Sequence, residues 1–176
     1  MIDRFYERLD AVVGPLEPGS ALDAGCGEGE TLARLACLPR GTTAAVDLSE
    51  EAVRHTAGRI PWANASVASV TELPFEDDSF DLVLCLEVLE HLTEPDAALE
   101  ELARVSRNDV VVSVPHEPWF RLGSLLRGKY VRGLGNHPEH LNHWNRRTLP
   151  ALLATRFEEV TLTGAFPWLI AHCRRC

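Results

Sequence analysis

Residues 21–29 read Ala-Leu-Asp-Ala-Gly-Cys-Gly-Glu-Gly, and they constrain the fold more than any other stretch of the chain. An apolar run ends in a carboxylate, Asp23. Three glycines follow at alternate positions, Gly25, Gly27 and Gly29, and a helix-forming stretch, Thr31 to Leu38, begins at once. Glycines at that spacing let a strand turn sharply into a helix and let a ligand approach bare backbone. Such a loop lies at the carboxyl end of a first strand, where open α/β sheets bind their ligands.

The rest of the chain continues the alternation. The periodicity predicts an amphipathic helix over Asp3–Val13, closed by Gly14-Pro15, then a strand over Ser20–Asp23. Thr42–Asp47 reads as a second strand and Glu50–Arg59 as the helix after it. Ala65–Val70 reads as a short third strand, and Phe80–Leu86 as a fourth that is apolar enough for burial on both faces. Pro95–Val105 carries apolar residues at helical spacing, Val110–Val114 is a fifth strand, and Leu149–Arg156 is a helix. Glu159–Thr163 opens a closing hairpin that ends near His172. Alternating strands and helices predict a Rossmann-like, doubly wound, mostly parallel α/β sheet with a C-terminal antiparallel hairpin in a single domain, 1–176.

The glycine loop fits two ligands. A pyrophosphate needs free N–H groups and a positive helix end, which a GxGxxG loop supplies. Here the spacing is GxGxG, and Asp23, Glu28 and Glu30 crowd it. Carboxylates at a helix N-terminus compete with phosphate for the same positive potential and suit a ligand that carries a cation. The sulfonium and ammonium of S-adenosylmethionine meet that condition. Asp47, 18 residues after Gly29, lies where a carboxylate would meet a ribose hydroxyl pair. A helix cap before Ser49-Glu50-Glu51 is the alternative role.

A third segment, Leu73-Pro74-Phe75 through Leu82-Val83-Leu84, completes a pattern. Asp23–Gly29, Val46-Asp47-Leu48-Ser49 and Leu73–Leu84, in this order and spacing, resemble the class I S-adenosylmethionine-dependent methyltransferases. The similarity is strongest to the small-molecule branch that includes the ubiquinone- and menaquinone-pathway enzymes, and it covers about residues 20–115 closely. The resemblance implies S-adenosyl-L-methionine as cofactor, held by Asp23, Gly25, Cys26, Gly27, Gly29, Asp47, Leu48, Ser69, Val70 and Cys85. One position departs from the family: an acid usually stands four residues before the Leu-Pro-Phe triplet, facing the adenine amino group, and here it is Ser69. A neutral hydroxyl is a weaker acceptor than a carboxylate. Adenine recognition would then lean on the Val70 backbone and on apolar packing.

A chain of 176 residues with 45% hydrophobic and 24% charged residues suits one globular domain with a proper core. No apolar run approaches the ~18 residues of a membrane span, and Met1-Ile2-Asp3-Arg4-Phe5 lacks the form of a secretory signal. The five cysteines, Cys26, Cys37, Cys85, Cys173 and Cys176, are odd in number and scattered. They read as reduced thiols of a cytoplasmic protein. The net charge of −9 argues against nucleic-acid binding, which needs a basic face.

Pro115 to Arg147 breaks the rhythm. It holds four of the seven histidines, His116, His137, His140 and His143, and it carries six Lys or Arg against two Glu, a net of +4. Residues 115–147 read as a substrate lid inserted at the ligand-binding end of the sheet. A basic patch on an acidic protein suggests a small-molecule substrate with an anionic group such as carboxylate or phosphate, or else solvated loop charge. Few residues precede the first strand, so the site is expected to be open or completed by a second subunit, in a monomer or homodimer.

Glu87, Glu90 and His91 stand at i, i+3 and i+4 directly after the fourth strand, a spacing that one helical turn would gather on one face. With His140 they could hold Mg²⁺ or Mn²⁺, a pairing that resembles the metal-dependent O-methyltransferases. In members that need no metal the same residues cap a helix or line the pocket, and that is the competing reading. Methyl transfer to oxygen requires in-line alignment and a base, and His91, His116 and His140 are the candidates. The expected function is S-adenosylmethionine-dependent O-methylation of a small molecule. The alternatives are a regulatory module that binds the cofactor without transfer, and a metal-dependent RNA 3′-terminal 2′-O-methyltransferase.

Overall fold

The computed structural model describes residues 1–116 and 141–175. Its apolar runs pair into a single sheet. The strands are β1 (Ala21–Ala24), β2 (Thr43–Asp47), β3 (Asn64–Val67), β4 (Phe80–Leu86), β5 (Ser106–Pro115), β6 (Glu159–Ala165) and β7 (Trp168–Arg174). Their spatial order is β3-β2-β1-β4-β5-β7-β6. The first five are parallel, and β7 inserts antiparallel between β5 and β6. The predicted doubly wound sheet with its closing hairpin is the observed architecture.

The helices are α1 (Ile2–Val13), α2 (Glu30–Arg34), α3 (Glu50–Arg59), α4 (Pro95–Val105) and α5 (Thr148–Leu153). They build a core on each side of the sheet because the central strands are apolar on both faces. On one side Leu22, Val83, Val110 and Val112 pack with Ala98, Leu99, Leu102 and Val105 of α4 and with Leu149 and Leu153 of α5. On the other, Leu82, Leu84, Val111 and Ile170 pack with Phe5, Leu9 and Val13 of α1 and with Leu32. The winding reverses between β1 and β4. Connections leave these neighbouring strands in opposite directions, which opens a crevice at their carboxyl ends.

Several boundaries differ from the sequence reading. The helix expected over Thr31–Leu38 stops at Arg34, with Leu35 extended at ψ 101°. Pro39 disfavours helical geometry in the residue before it, and the buried Leu35 and Leu38 are drawn into the core from a turn instead. The third strand ends at Val67, so Ser69 and Val70 lie in a turn where Ser69 bridges to Glu72. β5 starts four residues before Val110, at Ser106. Its polar Arg107, Asn108 and Asp109 hid it from a reading based on apolar runs. The last helix ends at Leu153 rather than Arg156.

Arg104, on α4, clamps the segment behind that Ser69–Val70 turn. Its guanidinium donates to the carbonyls of Leu73 (3.0 Å) and Phe75 (2.7 Å) and pairs with Glu101 and Asp77. Glu101 in turn accepts from the Leu73 N–H at 2.7 Å. Charge-assisted bonds to carbonyls contribute ~1.5 kcal/mol each in good geometry, less at a half-exposed site. Arg104→Ala is therefore expected to cost ~1–2 kcal/mol, a Tm fall of roughly 3–6 °C, readable by thermal denaturation. A shift under one degree would remove the clamp.

Candidate active site

The glycine loop is anchored to β2: the N–H groups of Gly25 and Cys26 both donate to the Val46 carbonyl, at 2.8 and 2.9 Å. Its three glycines do different work. Gly25 has φ +88°, and a Cβ there would lie 2.3 Å from Val88 Cγ2. Gly27 has φ +51° and opens onto free space. Gly29 has φ +74° and packs on Thr56 and Ile60 of α3, where a Cβ would lie 3.1–3.2 Å from them. Gly25→Ala combines strain with a collision against a side chain of the site, so a loss of ~3 kcal/mol or more is expected. Gly27→Ala carries only the left-handed penalty of ~1–2 kcal/mol. Chemical denaturation of the pair tests the ordering, and equal losses would refute it.

Asp47 closes β2 and turns its carboxylate back onto the loop. One oxygen accepts from the Gly27 N–H at 2.9 Å and the other from the Ser49 N–H at 2.9 Å. Each oxygen keeps a further lone pair. Ser49, not Asp47, caps α3, accepting from Ala52 N.

Two cavities flank this loop. The first, about 330 Å³, is walled by Gly25, Gly27, Asp47, Leu48, Ser69 and Val70, with Ala68, Val88, His91 and Leu92 opposite. Leu48 is 76% exposed at its rim. The second, about 290 Å³, is formed by Gly25, Cys26, Gly27 and Thr31 with Leu86 and Trp168, and is covered by Ile2, Phe5 and Tyr6 of α1. Gly25, Gly27 and Glu87 line both, so the cavities meet at a waist. Helix α1 thus supplies one wall of the second cavity.

Glu87 lines the waist, and two further carboxylates, Asp23 and Glu90, are buried behind it. Asp23 is buried at 2% exposure with Oδ2 unpartnered. Burial, and next the charge of Asp47, pushes its carboxyl up to about 7. Glu87 has φ +57° and accepts from the Ser113 hydroxyl at 2.7 Å, with Trp168 beside it on the wall of the second cavity. Burial raises it to about 7. Glu90, 1% exposed with Oε2 unpartnered, is pushed up to about 9 by burial and then by Glu87. Glu30, by contrast, is neutralised by Arg34 and Arg59. The Cys26 thiol is raised to about 12, chiefly by burial, which makes it a wall rather than a nucleophile.

Three residues from the expected cofactor set line neither cavity. Asp23 and Cys85 are enclosed in the core, Cys85 at 0% exposure with a thiol raised by burial. Gly29 faces α3.

The expected helical face of Glu87, Glu90 and His91 does not form. Glu87 is left-handed, and Leu89–His91 is a single 3₁₀ turn. His91 and Glu87 reach the first cavity, whereas Glu90 points into the interior. The turn is held by Asn142, whose side-chain amide donates to the carbonyls of Leu89 (3.2 Å) and Leu92 (2.6 Å). Among the described residues no three His, Cys, Asp or Glu groups come together as a metal cluster. Of the three described members of the expected metal set, Glu87 is held by Ser113, and Glu90 lines neither cavity. His140, the fourth expected ligand and third candidate base, lies outside the described residues, as does most of the expected lid.

His116 follows β5, its N–H donating to the Pro167 carbonyl at 2.8 Å. It lines a third cavity that shares the Trp168 wall with the second. Burial and then Arg146 hold its imidazole below the usual value. Sequence reasoning missed Trp168 and the α1 residues. The amphipathic spacing of α1 marked an inward face, but nothing local shows that the hairpin returns Trp168 to the loop.

The family profile described as "Methyltransferase domain" matches residues 22–114, from β1 through β5. A probable S-adenosylmethionine-dependent methyltransferase of Mycobacterium tuberculosis is 35% identical over 148 residues, 82% of this chain and 51% of its own. A demethylmenaquinone methyltransferase of Roseiflexus castenholzii is 31% identical over 142 residues, 73% of this chain and 60% of its own. The chain thus spans little more than half the length of these relatives. The crystal structure of magnesium protoporphyrin IX methyltransferase from Synechocystis with bound S-adenosylhomocysteine superposes with a TM-score of 0.73 at 20% identity, covering 98% of this chain and 84% of that one. Among the described residues no helix is long and apolar enough to cross a membrane. With profile, relatives and fold in agreement, this chain belongs to the S-adenosylmethionine-dependent methyltransferases.

Proposed function

We propose that S-adenosylmethionine spans the two joined cavities and that the chain methylates an oxygen of a small molecule. The observation that carries this is the Asp47 carboxylate, held on the Gly27 N–H between cavities that meet at Gly25, Gly27 and Glu87. Asp47 has one free lone pair on each oxygen for the two ribose hydroxyls. Leu48, Ala68, Val88 and Leu92 offer apolar surface to adenine, with Val70 beside it. The Ser69 hydroxyl is shared with Thr71, 2.7 Å away, so the turn backbone supplies the adenine edge in place of the family's acid. The methionine part lies under α1, its charges near Asp23 and Glu87. Gly29 and Cys85 support this site from behind, through the loop turn and the β4 backbone.

When bound, the cofactor supplies a methyl group on a sulfonium that leaves as a neutral thioether. The chain's own part is alignment, exclusion of water and removal of the hydroxyl proton. His91 lines the first cavity and His116 stands across Trp168. His116 is held below its usual pKa, so it is neutral and able to accept a proton at pH 7. The small molecule enters from the His116 side.

Isothermal titration of the chain with S-adenosylmethionine tests the cofactor site, and turnover to S-adenosylhomocysteine across phenols, carboxylic acids and amines tests the acceptor atom. Saturable heat and turnover on phenols or acids are expected. Absence of heat overturns the reading of the site, and turnover on amines alone overturns oxygen as acceptor.

A further inference from the structure

The third cavity, about 430 Å³, is lined by His116, Arg146, Gly164, Phe166 and Trp168. Among the described residues every lining side chain is cationic, titratable or aromatic, and none is a carboxylate. The elements that build it converge from far apart in sequence. His116 leaves the end of β5 and pairs with Trp144 in an isolated parallel bridge, which brings Arg146 alongside. The β6–β7 turn supplies the other wall, with Phe166 61% exposed.

Arg146 sits directly over Gly164: a Cβ at that glycine would lie 2.6 Å from Nη2. A side chain at 164 would displace the guanidinium, so this glycine seats it. Among the described residues Arg146 is exposed and has no hydrogen-bonding or ion-pairing partner; Arg34, Arg59, Arg104, Arg107, Arg174 and Arg175 each hold a carboxylate, while Arg4, Arg8 and Arg147 do not. A guanidinium beside an imidazole, with no counter-charge among the described residues and with aromatic walls around it, is complementary to a planar body bearing an oxyanion. The planar fork presents two parallel N–H donors to a carboxylate.

We propose that this cavity is the acceptor-substrate subsite and that Arg146, seated on Gly164, selects substrates carrying a carboxylate on an aromatic body. The inference rests on the cofactor occupying the neighbouring cavities. Trp168, shared between the second and third cavities and lining the second with Glu87, is the partition across which acceptor and methyl donor meet. Arg146 is a specificity-determining residue here; proton removal is left to the histidines.

The test uses 2-naphthoate and its neutral isostere 2-naphthamide as probes. Their affinities are measured by ligand-observed NMR on the full chain saturated with S-adenosylhomocysteine, whose own binding is measured separately by calorimetry. Wild type is expected to bind the acid at least tenfold more tightly than the amide. Arg146→Gln should abolish that preference, and Gly164→Ala should reduce it by displacing the guanidinium with its charge intact. Arg146→Lys should keep part of it. S-adenosylhomocysteine affinity should stay within twofold in all three. Equal affinity for acid and amide in wild type, no binding of either, or a preference that survives Arg146→Gln overturns the subsite while leaving the cofactor reading intact. Failure of wild type to bind S-adenosylhomocysteine overturns the cofactor reading and this inference with it.

Discussion

Asp47→Ala is expected to lower the affinity for S-adenosylmethionine by about two orders of magnitude or more. Two ribose hydrogen bonds to a charged acceptor contribute ~1.5–3 kcal/mol, and each ~1.4 kcal/mol is tenfold in affinity. A second loss adds to it. The carboxylate also holds the N–H groups of Gly27 and Ser49, both at 2.9 Å, so its removal frees the loop whose shape defines both cavities. Ordering that loop would then be charged against binding. Asp47→Asn keeps a single oxygen acceptor and should fall between wild type and alanine. Calorimetric titration checks the series, with circular dichroism confirming the fold. Wild-type affinity in Asp47→Ala would take this residue out of the cofactor site.

The second large effect concerns pH. Asp23, Glu87 and Glu90 are raised to about 7, about 7 and about 9, mainly by burial. Each therefore binds its proton more tightly folded than unfolded. Between the unfolded value near 4 and the folded value, the folded state holds more protons, so stability falls as pH rises. The Asp23 shift, from 3.8 to about 7, corresponds to ~4 kcal/mol at pH 8, at ~1.4 kcal/mol per pH unit. Without cofactor, Tm should drop by roughly 10 °C between pH 5 and pH 8. Asp23→Asn mimics the protonated form, so it should melt higher than wild type by a margin that grows from pH 5 to pH 8. A cationic cofactor reverses part of the loss, and S-adenosylmethionine should raise Tm more at pH 8 than at pH 6. Stability that climbs from pH 5 to pH 8 without ligand would mean these carboxylates are ionised and solvated.

Local chemistry made much of this protein legible. Apolar runs ending in Asp23 and Asp47, glycines at alternate positions, and helices with apolar residues every third or fourth place specify a wound parallel sheet. Each of those signals lies within a few residues and reflects backbone geometry or burial. The pairing of Asp47 with the loop followed from strand order alone, since adjacent parallel strands bring their carboxyl ends together. Only the tertiary structure decided the rest. Ser106–Asp109 extends β5 because Asp109 pairs across to Leu82 and Arg174, and no local pattern announces a polar strand. Glu87, Glu90 and His91 kept the spacing of a helical face, but Glu87 turned left-handed and its carboxylate went to Ser113. Trp168 and α1 reached the cavities through packing between segments more than 140 residues apart in sequence. A motif read along the chain records what one element can do; which partners claim its side chains is settled by contacts that form only when distant segments meet.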